Sequence, residues 1–119
     1  MQGKKVFIPQ LFYQTSLERL VPQDNFYRIL SKELDLQFLY QSTEGYYGSE
    51  GQESIDPVVF FKILLVGYLN NLNSDRALLR FCSNCLDVRL FIGYDLDEEL
   101  PWHSTISRTR QNCMAKQYF

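Results

Sequence analysis

Hydrophobic and polar positions divide this chain into a few helix-length segments set around one very apolar stretch. From Asp56 to Leu69 it reads Asp-Pro-Val-Val-Phe-Phe-Lys-Ile-Leu-Leu-Val-Gly-Tyr-Leu, and after Pro57 only Lys62 and Gly67 interrupt the apolar run. A helix that is apolar almost all round must be covered on nearly every side, which predicts a central core helix. Asp56 can accept a backbone N–H as its N-cap, and Pro57 suits the first helical position, where a missing donor is no loss. Glycine costs about 1 kcal/mol against alanine inside a helix, so Gly67 predicts a neighbour packed close to the backbone. The run is too short to span a bilayer, which needs about 20 apolar residues.

On the N-terminal side, Lys4 to Phe12 alternates and can be extended, and Ser16 to Val21 suggests one helical turn stopped before Pro22. Asp24 is the expected N-cap of a helix starting near Asn25, with Phe26, Ile29, Leu30 and Leu34 as its apolar stripe. Leu36, Phe38 and Leu39 extend that face in a second short turn. Gln41 to Ser54, with its glycines and tyrosines, breaks the pattern and reads as an exposed loop or loose hairpin. After a turn at Asn70–Asn73, Ser74 can cap a helix to about Cys85. That helix carries Leu78, Phe81, Cys82, Cys85 and Leu86 inward, and Asp75, Arg76, Arg80 and Ser83 outward. The short connection makes a helix-turn-helix-like corner. Val88–Ile92 is too short to assign by periodicity. Gly93–Leu100 is an acidic loop, Pro101 ends it, and Ser104 or Thr105 starts a last helix. The expected fold is therefore all-α, a single domain over residues 1–119 with four to six short helices bundled around the central apolar one.

Charge adds one local signal. The 119 residues carry a net charge of −2, which gives no overall pull toward nucleic acid or an anionic membrane. Asp95, Asp97, Glu98 and Glu99 cluster, whereas Pro101–Phe119 contains no acid but has Arg108, Arg110 and Lys116. No apolar segment of a secretory signal follows Lys4 and Lys5. Three cysteines, an odd number without a signal peptide, predict reduced thiols and a cytoplasmic location.

Candidate chemistry is sparse. Cys82-x-x-Cys85 with His103 and Cys113 supplies zinc-ligand types, but i and i+3 cysteines on the inner face of a helix are better read as small core residues. His103, the single histidine, stands beside Ser104 at a helix start. With Asp97 these residues form no recognisable triad, because sequence neighbours rarely adopt that geometry. The acidic cluster lacks calcium-loop spacing. Gly45, Gly48 and Gly51 match no phosphate-binding loop. No cofactor and no enzyme site are expected.

The last helix offers the most distinctive surface. On a helical wheel Ile106, Cys113 and Met114 fall toward the core, whereas Ser104, Ser107, Arg108 and Gln111 fall on the opposite side and Arg110 flanks the apolar side. Hydroxyl, guanidinium and amide groups together suit phosphates and base edges, and a helix N-terminus adds free N–H groups. The bland alternative is an ordinary solvated face. Arg76, Arg80 and Ser83 extend the same pattern more weakly.

Five motifs occur in order: Ser16-Leu17-Glu18-x-Leu20-Val21-Pro22-x-Asp24, Ser54-Ile55-Asp56-Pro57-Val58-Val59, Leu64-Leu65-Val66-Gly67-Tyr68-Leu69, Ser74-x-Arg76, and Pro101-Trp102-His103-Ser104-Thr105-Ile106-Ser107-Arg108-x-Arg110. Together they resemble the N-terminal domain of bacterial insertion-sequence transposases of the InsH type, over roughly residues 7 to 111. The resemblance implies a helical domain that helps recognise terminal inverted repeats in DNA, with self-association into a homodimer as the alternative role. Combined with the polar face, it makes Ser104, Thr105, Ser107, Arg108, Arg110, Gln111, Arg76 and Arg80 the candidate DNA-binding residues. In such transposases the catalytic DDE carboxylates lie in a further domain, beyond the point where this chain stops, so a non-catalytic role is expected. Residues 112–119 depart from the family pattern, which is read as truncation.

Overall fold

Seven helices form among the described residues: α1 (Leu17–Leu20), α2 (Phe26–Glu33), α3 (Phe38–Ser42), α4 (Pro57–Leu69), α5 (Asp75–Asn84), α6 (Leu86–Ile92) and α7 (His103–Ala115). The computed structural model describes residues 1–44 and 55–115, the side chains of 113–115 excepted. The expected loop tyrosines Tyr46 and Tyr47, the side chains of Cys113 and Met114, and the tail from residue 116 lie outside the described residues. The all-α expectation holds, and short apolar stretches such as Val88–Ile92 also close into helix, which raises the number of elements.

Local chemistry sets the helix ends. Asp56 Oδ1 accepts from the N–H groups of Val58 and Val59, with Pro57 opening α4. Ser16 caps α1 and Ser74 caps α5. The far end of α4 is closed by Asn71, which takes a left-handed conformation at φ 53°. There the Leu72 N–H donates to the Gly67 carbonyl (2.9 Å) and the Asn71 N–H to that of Tyr68 (3.3 Å). This is a Schellman closure, and asparagine tolerates its αL position better than most residues. Gly93, at φ 84°, ends α6 in the same region of backbone space.

The start of α2 differs from expectation. Asn25, not Asp24, caps α2, because its amide does two jobs: Oδ1 accepts from the Tyr27 N–H (2.9 Å) and Nδ2 donates to Asp87 (3.0 Å). The phase of α2 differs as well. Tyr27 is buried, while Phe26 and Ile29 are exposed. Positions 27, 30 and 34 share helical spacing as readily as 26, 29 and 30. Tyr27 wins because its ring packs on Phe91 with centroids 5.2 Å apart and its hydroxyl accepts from Asn70 (2.9 Å). Phe38 on α3 is likewise exposed, with Leu36 and Leu39 buried instead.

The core joins Phe60, Ile63 and Val66 of α4 to Leu78 and Cys82 of α5, Val88 and Phe91 of α6, and Ile106 of α7. Gly67 has the predicted close neighbour, since an added Cβ would lie 3.2 Å from both methyls of Leu78. Helix α4 shares its central place with α6, which packs against α1, α2, α4 and α5. Tyr68 of α4 remains exposed.

Buried cations tie this arrangement together. Lys62 interrupts the apolar run because its Nζ donates to the Phe91 carbonyl (3.0 Å) in the last turn of α6 and lies 5.0 Å from the Phe91 ring centroid. Burial lowers its pKa. Arg89 is buried and donates to the carbonyls of Ser83 (2.8 Å) and Glu98 (2.9 Å) and to that of Asp95. It thereby fastens the acidic loop 93–100 to the end of α5. Arg28 binds α1 to α2 through the Glu18 carboxylate (2.8 Å) and the Val21 and Pro22 carbonyls.

Candidate functional site

Helix α7 is held against α5 by one stripe of its own polar residues. His103, Ser107 and Arg110 stand at i, i+4 and i+7, so they share a face. Ser107 Oγ lies 2.7 Å from Asp75 Oδ2 and 3.0 Å from the His103 carbonyl, and its single proton goes to one acceptor or the other, the carboxylate being the shorter and charged one. Arg110 forms an ion pair with the other Asp75 oxygen at 2.8 Å. His103 Nε2 lies 3.4 Å from Arg76 Nη2. Next to the stripe, Ile106 is fully buried and anchors the helix in the core.

Two sequence placements are corrected here. Ser107 does not belong to the outer face, and Asp75 does not point into solvent. Grouped with the polar side in the sequence, Ser107 is drawn inward by the carboxylate across on α5. Asp75 has no cation one turn ahead, where Leu79 stands. Its partners come from a helix 32 residues away, a distance that no local pattern reveals.

What remains outward on α7 is Ser104, Arg108 and Gln111, at i, i+4 and i+7 and all exposed. Thr105 and Arg110 are intermediate, and Arg76 and Arg80 are exposed on α5. Three guanidinium groups, a hydroxyl and an amide thus stand in solvent on two packed helices. Guanidinium forks of this kind recognise oxyanions bidentately.

A cleft of about 460 Å³ opens where α5, the acidic loop and the start of α7 meet, lined by Arg76, Arg80, Glu99, Leu100, Trp102 and His103 among others. Trp102, noted in the sequence only as part of a motif, is 78% exposed there. A tryptophan beside a helix start and a proline would have flagged it, since large aromatics are rarely left in water without cause.

Of the four candidate zinc ligands, Cys82, Cys85 and His103 have described side chains and Cys113 does not. The Cys82 thiol is fully buried and pushed up to about 12 by that burial, and Cys85 is raised for the same reason. Such thiols are poor ligands and nucleophiles. No three potential metal ligands come together among the described residues. No helix among them is long and apolar enough to cross a membrane.

Comparison with known proteins gives one match. The model of the transposase domain family (DUF772) matches residues 15–112. No curated protein and no solved structure matches significantly. The matched span runs from the residue before the α1 cap to Asn112 in α7, taking in α1 to α6 and the first ten residues of α7, so the chain belongs to the transposase domain family.

Proposed function

We propose that this chain is a non-catalytic DNA-binding and assembly domain of a DDE insertion-sequence transposase, one that recognises the element's terminal inverted repeats. One observation carries the reading. Helix α7 is anchored by Ile106 on one side and leaves Ser104, Arg108 and Gln111 in solvent on the other, and the α5 helix it packs against leaves Arg76 and Arg80 in solvent as well. Arg108, Arg76 and Arg80 supply phosphate contacts, and Ser104 and Gln111 reach base edges. Ser107 and Arg110 act indirectly, by holding α7 at its angle to α5 through Asp75. Thr105 flanks the contact surface.

Binding of this kind releases counterions and weakens steeply with salt. Fluorescence anisotropy with terminal-repeat and scrambled duplexes, each at two salt concentrations, is the direct test. Tighter binding to the repeat, with R108A and R76A each lowering the salt dependence, supports the proposal. Equal, salt-independent signals for both duplexes would refute it.

A second reading, self-association, is favoured by the apolar side chains of Val6, Phe7, Ile8, Leu11 and Phe12 ahead of α1, all at least 70% exposed. Monomeric behaviour across a concentration series in light scattering counts against it.

A further inference from the structure

We infer that the cleft between α5 and the start of α7 is a receptor for a single unpaired base, so that the domain binds DNA ends or distortions carrying an extruded nucleotide more tightly than continuous duplex. The inference rests on the DNA-binding reading above and specifies the form of DNA taken.

The argument begins with Trp102. It is the chain's only tryptophan, it stands 78% exposed at the cleft, and the next residue begins α7. Its position is therefore set by the helix rather than by a loop end. An indole face left in water is a stacking platform, and stacking on aromatic residues is how proteins hold bases without regard to duplex form. A base inside a duplex has both faces covered by its neighbours, so only an unpaired or extruded base can use the platform.

Charge across the cleft gives the ligand an orientation. Arg76 and Arg80 line one side and suit the phosphate that accompanies the base. Arg76 is steadied by its 3.4 Å contact with His103. The wall formed by the acidic loop carries Asp97, Glu98 and Glu99, carboxylates that repel a phosphate but accept hydrogen bonds from amino groups. That wall is fixed in place by Arg89, which holds the carbonyls of Asp95 and Glu98. Carboxylates facing the base edge favour guanine, with its ring N–H and exocyclic amine, over thymine, which presents carbonyl oxygens beside its one N–H. At about 460 Å³ the cleft falls within the ordinary range of small-ligand sites, roughly 300–1,000 Å³.

The test compares a blunt duplex with the same duplex ending in one unpaired guanine or one unpaired thymine. Anisotropy gives affinity, and tryptophan emission reports directly on the cleft. Expected are tighter binding and quenched emission with the guanine tip, and loss of that preference in Trp102→Ala by about 5- to 100-fold, the range for one stacked base. Trp102→Phe retains most of it. Because Trp102 is exposed, both variants should melt like the parent, which circular dichroism checks. Equal affinity for blunt and tipped duplexes, or unchanged emission on binding, overturns the proposal while leaving duplex recognition intact. Equal affinity for guanine and thymine tips overturns the role of the carboxylate wall. Failure to bind any of the three DNAs defeats both this inference and the function it rests on.

Discussion

Replacing Asp75 with alanine should loosen α7 from α5, and the size of the effect follows from three contributions. Its carboxylate, 14% exposed, accepts from Ser107 at 2.7 Å and pairs with Arg110 at 2.8 Å. A hydrogen bond to a charged group contributes about 1.5–3 kcal/mol. The lower end applies here, because the Ser107 hydroxyl can turn its one proton to the His103 carbonyl 3.0 Å away and is not orphaned. The Arg110 side chain is 43% exposed, so solvent screening limits that pair to about 0.5–1 kcal/mol. A carboxylate in the first turn of α5 adds roughly 0.3–1 kcal/mol by facing the positive end of the helix. Against this, alanine gains about 0.5 kcal/mol of helix propensity. The expected net loss is on the order of 2–3 kcal/mol. Urea unfolding followed by circular dichroism should show a lower midpoint at unchanged slope. Asp75→Asn, which keeps an acceptor for Ser107 but no charge, should lose about half as much. In a double-mutant cycle, Asp75→Ala and Ser107→Ala should couple by about 1 kcal/mol. A loss within about 0.5 kcal/mol, the scatter of ordinary surface substitutions, or strict additivity in the cycle, would refute the bridging role of Asp75.

Three further expectations follow from the core. Gly67→Ala should destabilise by about 0.5–1.5 kcal/mol despite its better helix propensity, because Leu78, 2% exposed and 3.2 Å from the new methyl, has little room to yield. In a Leu78→Ala background the same change should become stabilising, and an unreversed sign in thermal melts would show the reasoning to be mistaken. Arg89→Ala should cost about 3 kcal/mol or more by leaving the carbonyls of Ser83, Asp95 and Glu98 without their donor, with hydrogen exchange rising first in residues 93–100. The raised Cys82 thiol, at about 12 against an ordinary 9.0, makes stability fall with rising pH. Below about 9 both folded and unfolded chains keep the proton. Between about 9 and 12 only the unfolded chain releases it, at about 1.4 kcal/mol per pH unit. A Cys82→Ala variant should lack that component of the slope, and native Cys82 should resist thiol reagents at pH 8.

Helix ends were the most legible feature of the chain, because the residues that make a cap are adjacent to it. Ser16, Asp56 with Pro57, and Ser74 announce their helices directly. Helix phase was less legible where two stripes compete, as on α2, because the choice between Phe26 and Tyr27 depends on Phe91 and Asn70, far along the chain. The candidate surface divided in the same way. The outward position of Arg108 and Gln111 could be read from periodicity, but the inward turn of Ser107 could not. Trp102 and Arg89 went unremarked as site-forming residues, since each matters only through a loop that folds back onto α5.

By itself the order of residues determined that the chain is helical, that an apolar rod from Pro57 to Leu69 would be buried, and where α1, α4 and α5 start. Those are outcomes of local hydrogen bonding and of the aversion of apolar surface to water. Only the tertiary structure decided that α6 stands beside α4 at the centre, that Asp75 joins α5 to α7, and that one tryptophan, three arginines and three acidic residues line one cleft. These depend on contacts between residues distant in sequence, whose geometry is set by how helices pack and is not written in any local pattern.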